Sequence, residues 1–165
     1  MGDDTDYTLT MNDEATLLYR QLASTDPHTR DHATAQLWQL YFGAAGPEAE
    51  IRLLQAEQAV ESGDYATAGT WLDALIGDFP DFAEAWNRRA TMRYLQKRYA
   101  DSIADCETAT RLEPNHFGAW HGMGLNYLAL GKYDFAARAF KRALELQPFG
   151  EANQKLLAEC LTKLN

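Results

Sequence analysis

An all-α fold of stacked helical hairpins, an α-solenoid, is what this 165-residue sequence predicts, and three observations carry the prediction. Markers return at one period: Tyr65, Tyr99 and Tyr133 lie 34 residues apart, as do Pro80, Pro114 and Pro148. Small residues recur in the same register, first Ala56, Ala90 and Gly124, then Ala68, Ser102 and Ala136. Within a unit the apolar residues keep helical spacing: Trp86, Ala90 and Met92, then after a break Ile103, Cys106 and Ala109. That pattern describes two amphipathic helices joined by a short turn.

The elements follow in order. Residues 1–12 carry Asp3, Asp4 and Asp6 and have neither the basic nor the apolar run of a secretory leader, so a flexible acidic tail is expected. Residues 13–46 read as an N-terminal helical hairpin, a degenerate repeat or cap. Leu17, Leu18 and Leu22 mark its first helix. Asp26 and Pro27 offer an N-cap and first-turn proline to a second that presents Leu37, Trp38, Leu40, Tyr41 and Phe42. Whether this hairpin stacks in register is left open by the residues.

Three full units come next, 49–82, 83–116 and 117–150. Their internal turns fall at Gly63-Asp64, Lys97-Arg98 and Gly131-Lys132; glycine supplies a positive φ there, and the middle turn does without it. Each unit stops at its proline, which cannot continue a helix. Asp81 with Glu84 reads as a capping box for the second unit, and Asn115 as an N-cap for the third. Residues 151–165 place Leu156, Leu157, Cys160, Leu161 and Leu164 opposite Lys155, Glu159 and Lys163, as a closing helix must.

Trp120, Gly124, Gly131, Tyr133, Ala136, Ala143 and Pro148 together form a pattern that resembles the tetratricopeptide repeat. Arg89 and Arg93 depart from it where the family prefers Leu and Tyr, and Arg52 stands where a large residue is common. The resemblance implies a right-handed superhelix whose first helices line a concave, partner-binding surface. It also implies a non-enzymatic interaction module that acts as an adaptor or assembly factor. On the family's concave positions fall Glu50, Leu53, Glu57, Val60 and Glu61, then Asn87, Thr91, Tyr94 and Leu95, then His121 and Leu125, with Arg88 beside them. The family's carboxylate clamp, which holds acidic C-terminal tails with Lys, Asn and Arg, would fall on Leu53, Glu57, Arg88, Gly118 and Gly122. Only Arg88 suits it.

Charge and composition narrow the partner. A net charge of −9 opposes binding to a phosphate backbone, which requires clustered cations, so nucleic acid is excluded. No apolar run approaches the ~20 residues that span a bilayer. Two distant cysteines, Cys106 and Cys160, read as free thiols of a reducing, cytoplasmic setting. No cofactor or metal is expected. His28 and His32 are spaced i, i+4 but lack a third ligand and an intervening Glu, and Gly118, Gly122 and Gly124 follow no strand. Cys106 takes the register position of Leu72 and Phe140 and should be buried and inert, while His116 and His121 read as surface or groove histidines. The first unit holds seven acidic residues against one basic. The expected partner is therefore a protein or peptide segment whose basic end lies toward Glu50, Glu57 and Glu61. The alternative is a self-associating scaffold that uses Trp38, Tyr41 and Phe42 as a homotypic patch.

Overall fold

The computed structural model describes residues 11–165, with side chains from Asp13 onward, and all regular structure in that span is helical. Nine helices lie among the described residues: α1 (Met11–Gln21), α2 (Pro27–Gly43), α3 (Pro47–Glu61), α4 (Tyr65–Asp78), α5 (Ala83–Leu95), α6 (Tyr99–Leu112), α7 (Phe117–Ala129), α8 (Tyr133–Leu146) and α9 (Glu151–Leu164). The tail expected over 1–12 falls outside the described residues except for Met11 and Asn12, which open α1.

The turns inside the three units share one geometry. Asp64, Arg98 and Lys132 each donate a backbone N–H to the carbonyl five residues earlier, at 2.8–2.9 Å. The residue before each has positive φ: 79° at Gly63, 59° at Lys97 and 68° at Gly131. Lys97 thus holds a left-handed conformation that crowds its Cβ against the backbone. Lys97→Gly should raise the unfolding free energy by about 1 kcal/mol, read from chemical denaturation; a neutral or lowered value would mean that the Lys97 side chain repays its strain.

Capping is mixed. Asp26 accepts the Thr29 N–H at 3.0 Å and Asp64 accepts the Thr67 N–H at 3.1 Å; the Thr29 hydroxyl and backbone bonds, and likewise the Thr67 bonds, hold both carboxyls below the usual range. The capping box expected of Asp81 and Glu84 does not form. Phe82, whose ring has no acceptor, is the N-cap of α5, and Glu84 is buried in a polar network instead of reaching back to the helix start. Nor does Asn115 cap α7. His116 does so, its Nδ1 accepting the Ala119 N–H at 3.1 Å.

Between units, one contact repeats. The indole N–H of Trp86 donates to the Pro80 carbonyl, that of Trp120 to Pro114, and the Gln154 amide to Pro148, each at 2.9 Å. The same register position therefore ties each first helix to the proline that ended the preceding unit, and α9 continues the series. Arg52 occupies that position in α3 and instead bridges Asp78 at 2.8 Å and Glu48 at 3.6 Å. Gly124 has the packing reason its helix-interior location demands: a Cβ there would lie 2.5 Å from the Phe140 ring.

The N-terminal hairpin does not stack on α3 and α4. Helix α2 crosses toward the N-terminal ends of the later first helices, burying Ala33, Leu37 and Tyr41 with Leu18, Leu22 and Phe117. Trp38 meets Phe117 edge to face at 5.1 Å, and Tyr41 stacks on the His116 ring at 4.2 Å. The Tyr41 hydroxyl donates to the Asn115 carbonyl at 3.0 Å, so the 2.9 Å bond between the two tyrosines has Tyr19 as donor. Burial pushes the Tyr41 phenol far up and the Tyr19 phenol to about 12. Trp38, Tyr41 and Phe42, expected as an outward homotypic patch, are turned inward within the chain, because a helix that is apolar on several faces is covered on several faces.

Candidate functional site

The first helices α3, α5 and α7 line one side of the repeat array, and α2 borders it. Cys106 is small where the sister units carry Leu72 and Phe140, and Gly122 faces it without a side chain. Between α5 and α7 this leaves a pocket of about 240 Å³. Asn87, Arg88, Thr91, Tyr94, His121 and Leu125 all line it, and Trp38 from α2 forms a further part of its wall. A neighbouring pocket of about 370 Å³ is lined by Glu57, Val60, Glu61 and Leu95, and shares Arg88 and Thr91 with the first.

Two of the expected groove residues lie elsewhere. Leu53 is 0% exposed and belongs to the core of α3–α5, so it cannot touch a partner. Its helix turns that side chain toward α4 rather than outward. Glu50 is half-buried and lines neither pocket. Asn87 is also largely buried, at 6% exposure, and donates to Glu84 at 3.2 Å. Thr91 and Leu95 are exposed, and Tyr94 is half-buried beside Tyr99.

Charge at the site is internally matched. The Arg88 guanidinium donates to Glu84 through Nε and to Glu57 through Nη1 at 2.6 Å, with its plane 4.7 Å from the Phe42 ring centroid. Glu84 in turn accepts from His116 Nε2 at 2.6 Å. Because Nδ1 of His116 accepts the Ala119 N–H, the imidazole proton sits on Nε2 and donates to the carboxylate. His116 is thus fully buried as a link between α5, α7 and α2, not the surface or groove histidine expected. His121 does reach the pocket, with its Nδ1 2.7 Å from Asn153 Oδ1. Of the acidic residues lining the second pocket, Glu57 is taken up by Arg88, and Glu61 is exposed and forms no ion pair among the described residues.

Sequence reasoning missed several residues that line the pocket, Ser102, Asn126 and above all Trp38. The signal for Trp38 lay in Gly118, a glycine inside a helix, where a Cβ would lie 2.6 Å from the Trp38 ring; such a residue marks a close approach by another element. For chemistry the site offers little. Burial, with Asp105 beside it, pushes the Cys106 thiol up to about 12, so the thiolate does not form near neutrality. His28 and His32 are exposed on α2. Among the described residues no group of three or more His, Cys, Asp or Glu could hold a metal ion, and no helix is long and apolar enough to cross a membrane.

Comparison with known proteins places this geometry. Residues 81–148 match the tetratricopeptide repeat family. A TPR repeat-containing protein of Rhizobium etli is 36% identical over 118 residues, covering 68% of this chain and 58% of that protein. Human Superkiller complex protein 3 is 34% identical over 64 residues, which is 39% of this chain and 4% of that one. The chain thus spans little more than half of the first relative and a small part of the second. Among solved structures, the first TPR of Spaghetti (RPAP3) bound to an HSP90 peptide superposes with a TM-score of 0.68 at 22% identity, covering 70% of this chain and 92% of that one. The Sgt2 TPR domain from Aspergillus fumigatus gives 0.67 at 21% identity, over 72% and 80% of the two chains.

Proposed function

The chain belongs to the tetratricopeptide-repeat family, and from that premise we propose that it is a non-enzymatic adaptor that holds a segment of a partner protein in the groove between α3, α5 and α7. The observation that carries this reading is the pair of adjoining pockets with Tyr94, Leu125, Val60 and Leu95 as apolar seats and Thr91 between them. Apolar side chains of the segment would fill these seats, and a Lys or Arg would meet Glu61, which is exposed and lines the second pocket. Trp38 would lie against the segment from the opposite side.

Acidic C-terminal tails are a poor match. RPAP3 is seen with an HSP90 peptide and the TPR2B domain of yeast Sti1 with an Hsp70 peptide. In this chain the corresponding clamp places hold Leu53, Glu57, Gly118 and Gly122, and the guanidinium of Arg88 is already shared by two carboxylates. An incoming carboxylate would have to displace Glu57 and then lie beside it.

The test is capture from the native cell with wild type and the Tyr94→Ala, Leu125→Ala variant in parallel, followed by titration of the captured partner. The expected loss in affinity is tenfold or more, about 1.4 kcal/mol or above, with unchanged helicity. Unaltered affinity would place the partner on another face.

A further inference from the structure

The repeat register reveals a stacking surface that none of the described residues covers. Ile51 of α3 corresponds, one and two units on, to Ala85 and Ala119, and Trp71 of α4 to Asp105 and Ala139; all four later residues are buried, 2% exposed or less. In the first unit the same positions carry larger apolar side chains and are open, Ile51 at 57% and Trp71 at 45%, with Leu54 beside them at 47%. Chain order would make α2 the covering helix. Instead, α2 runs to Phe117 and His116.

The uncovered face has a definite chemistry. Ile51, Leu54, Gln58 and Glu61 form one stripe along α3, and a furrow lined by Gln55, Gln58, Ala59, Thr67 and Trp71 runs between α3 and α4. Its fringe is acidic: Glu48, Glu61 and Asp64 are exposed, and the one basic residue of α3, Arg52, is tied to Glu48 and Asp78. A second copy presenting this same face would bring acid against acid.

We propose that this face docks an amphipathic helix of a partner protein, apolar on its inward side and flanked by Lys or Arg, lying where the second helix of a preceding hairpin would lie. The helix would bury Ile51, Leu54 and Trp71, and its flanking cations would face Glu48, Glu61 and Asp64. Its apolar seats, Ile51, Leu54 and Trp71, are separate from those of the groove, the two sites meeting at Glu61, and a protein holding partners at both would act as a bridge.

The probe is a fluorescent synthetic amphipathic peptide of about 16 residues, Leu on one helical face and Lys on both flanks, with a twin carrying Glu for Lys. It is titrated by anisotropy against wild type, the face variant Ile51→Ser, Leu54→Ser, Trp71→Ser, and the groove variant Tyr94→Ala, Leu125→Ala. The Lys peptide should saturate wild type and the groove variant alike, weaken tenfold or more on the face variant and with added salt, while the Glu twin fails to bind. Should the face variant lose its helicity, Gln55→Lys, Gln58→Lys, both lining the furrow and neither lining the groove pockets, serves in its place with the same expected loss. The proposal is overturned if the Lys peptide does not bind, if both peptides bind equally, or if neither variant of this face weakens it. It is likewise overturned if light scattering finds a wild-type dimer that the face variant abolishes, which would assign the surface to a second copy. Loss on the groove variant alone would return the peptide to the groove.

Discussion

Asp105→Ala is expected to lower the unfolding free energy by about 3–5 kcal/mol, the scale for breaking a buried, hydrogen-bonded ion pair by removing one partner. Asp105 is 2% exposed on α6. Its two oxygens accept Nη2 and Nε of Arg89 at 2.8 and 3.0 Å, and Nη1 of Arg93 bonds the same carboxylate at 2.7 Å. Arg89 also reaches Asp73 on α4 at 2.7 Å, so one cluster ties three consecutive helices. Burial pulls the Arg89 guanidinium down, and its bonds to Asp105 and Asp73 more than offset that, leaving it above its ordinary value. With Asp105 gone, two half-buried cations would face each other across a void. Urea denaturation followed by helical circular dichroism reads the loss; less than about 1 kcal/mol would mean that the pair behaves as a solvated surface bridge. Arg89→Leu and Arg93→Tyr, made together with Asp105→Ala, should recover most of the stability, since apolar replacement of a whole buried ionic cluster is often neutral or favourable.

Leu37→Ala carries the second large effect, about 2–5 kcal/mol, and it should fall mainly on the N-terminal hairpin. Leu37 is 0% exposed in the cluster that joins α1 and α2 to Phe117. Beyond that cluster the hairpin is tied to the repeats by exposed or half-buried contacts, hydrogen bonds from Tyr41 to Asn115 and from Gln147 to Thr34 at 3.3 Å, and Arg88 over Phe42 and Arg30 over Phe149. Hydrogen exchange should therefore show α1 and α2 losing protection while α5–α8 keep theirs. With the hairpin loosened, Trp38 leaves the pocket between α5 and α7, and affinity for a groove-bound segment changes with it. Equal loss of protection throughout would make the hairpin part of a single cooperative unit.

Much of the repeat array was legible because its cause is local and periodic. The 34-residue spacing of Tyr and Pro, the left-handed turn residues and the N-caps at Asp26 and Asp64 each act within a few residues, so their signature stays in the sequence. Glu84 and His116 were less legible. A carboxylate three residues after Asp81 satisfies a capping pattern, yet packing α2, α5 and α7 together buried it against an imidazole 32 residues away. Long-range pairing of this kind leaves no periodic trace.

The amino-acid sequence by itself determined an all-helical solenoid, three repeat units, a closing helix and an acidic first unit, because periodicity, turn chemistry and charge are properties of the chain alone. Tertiary structure decided which residues are available to a partner. It withdrew Leu53 into the core, engaged Glu57 and Arg88 with each other, and drew α2 toward the start of α7 so that Trp38 walls the groove. The reason lies in α2, which carries apolar side chains on more than one face and buries Leu37, Trp38 and Tyr41 against Phe117, His116 and Gly118. Taking that position left Ile51, Leu54 and Trp71 uncovered, a consequence no local pattern in the sequence records.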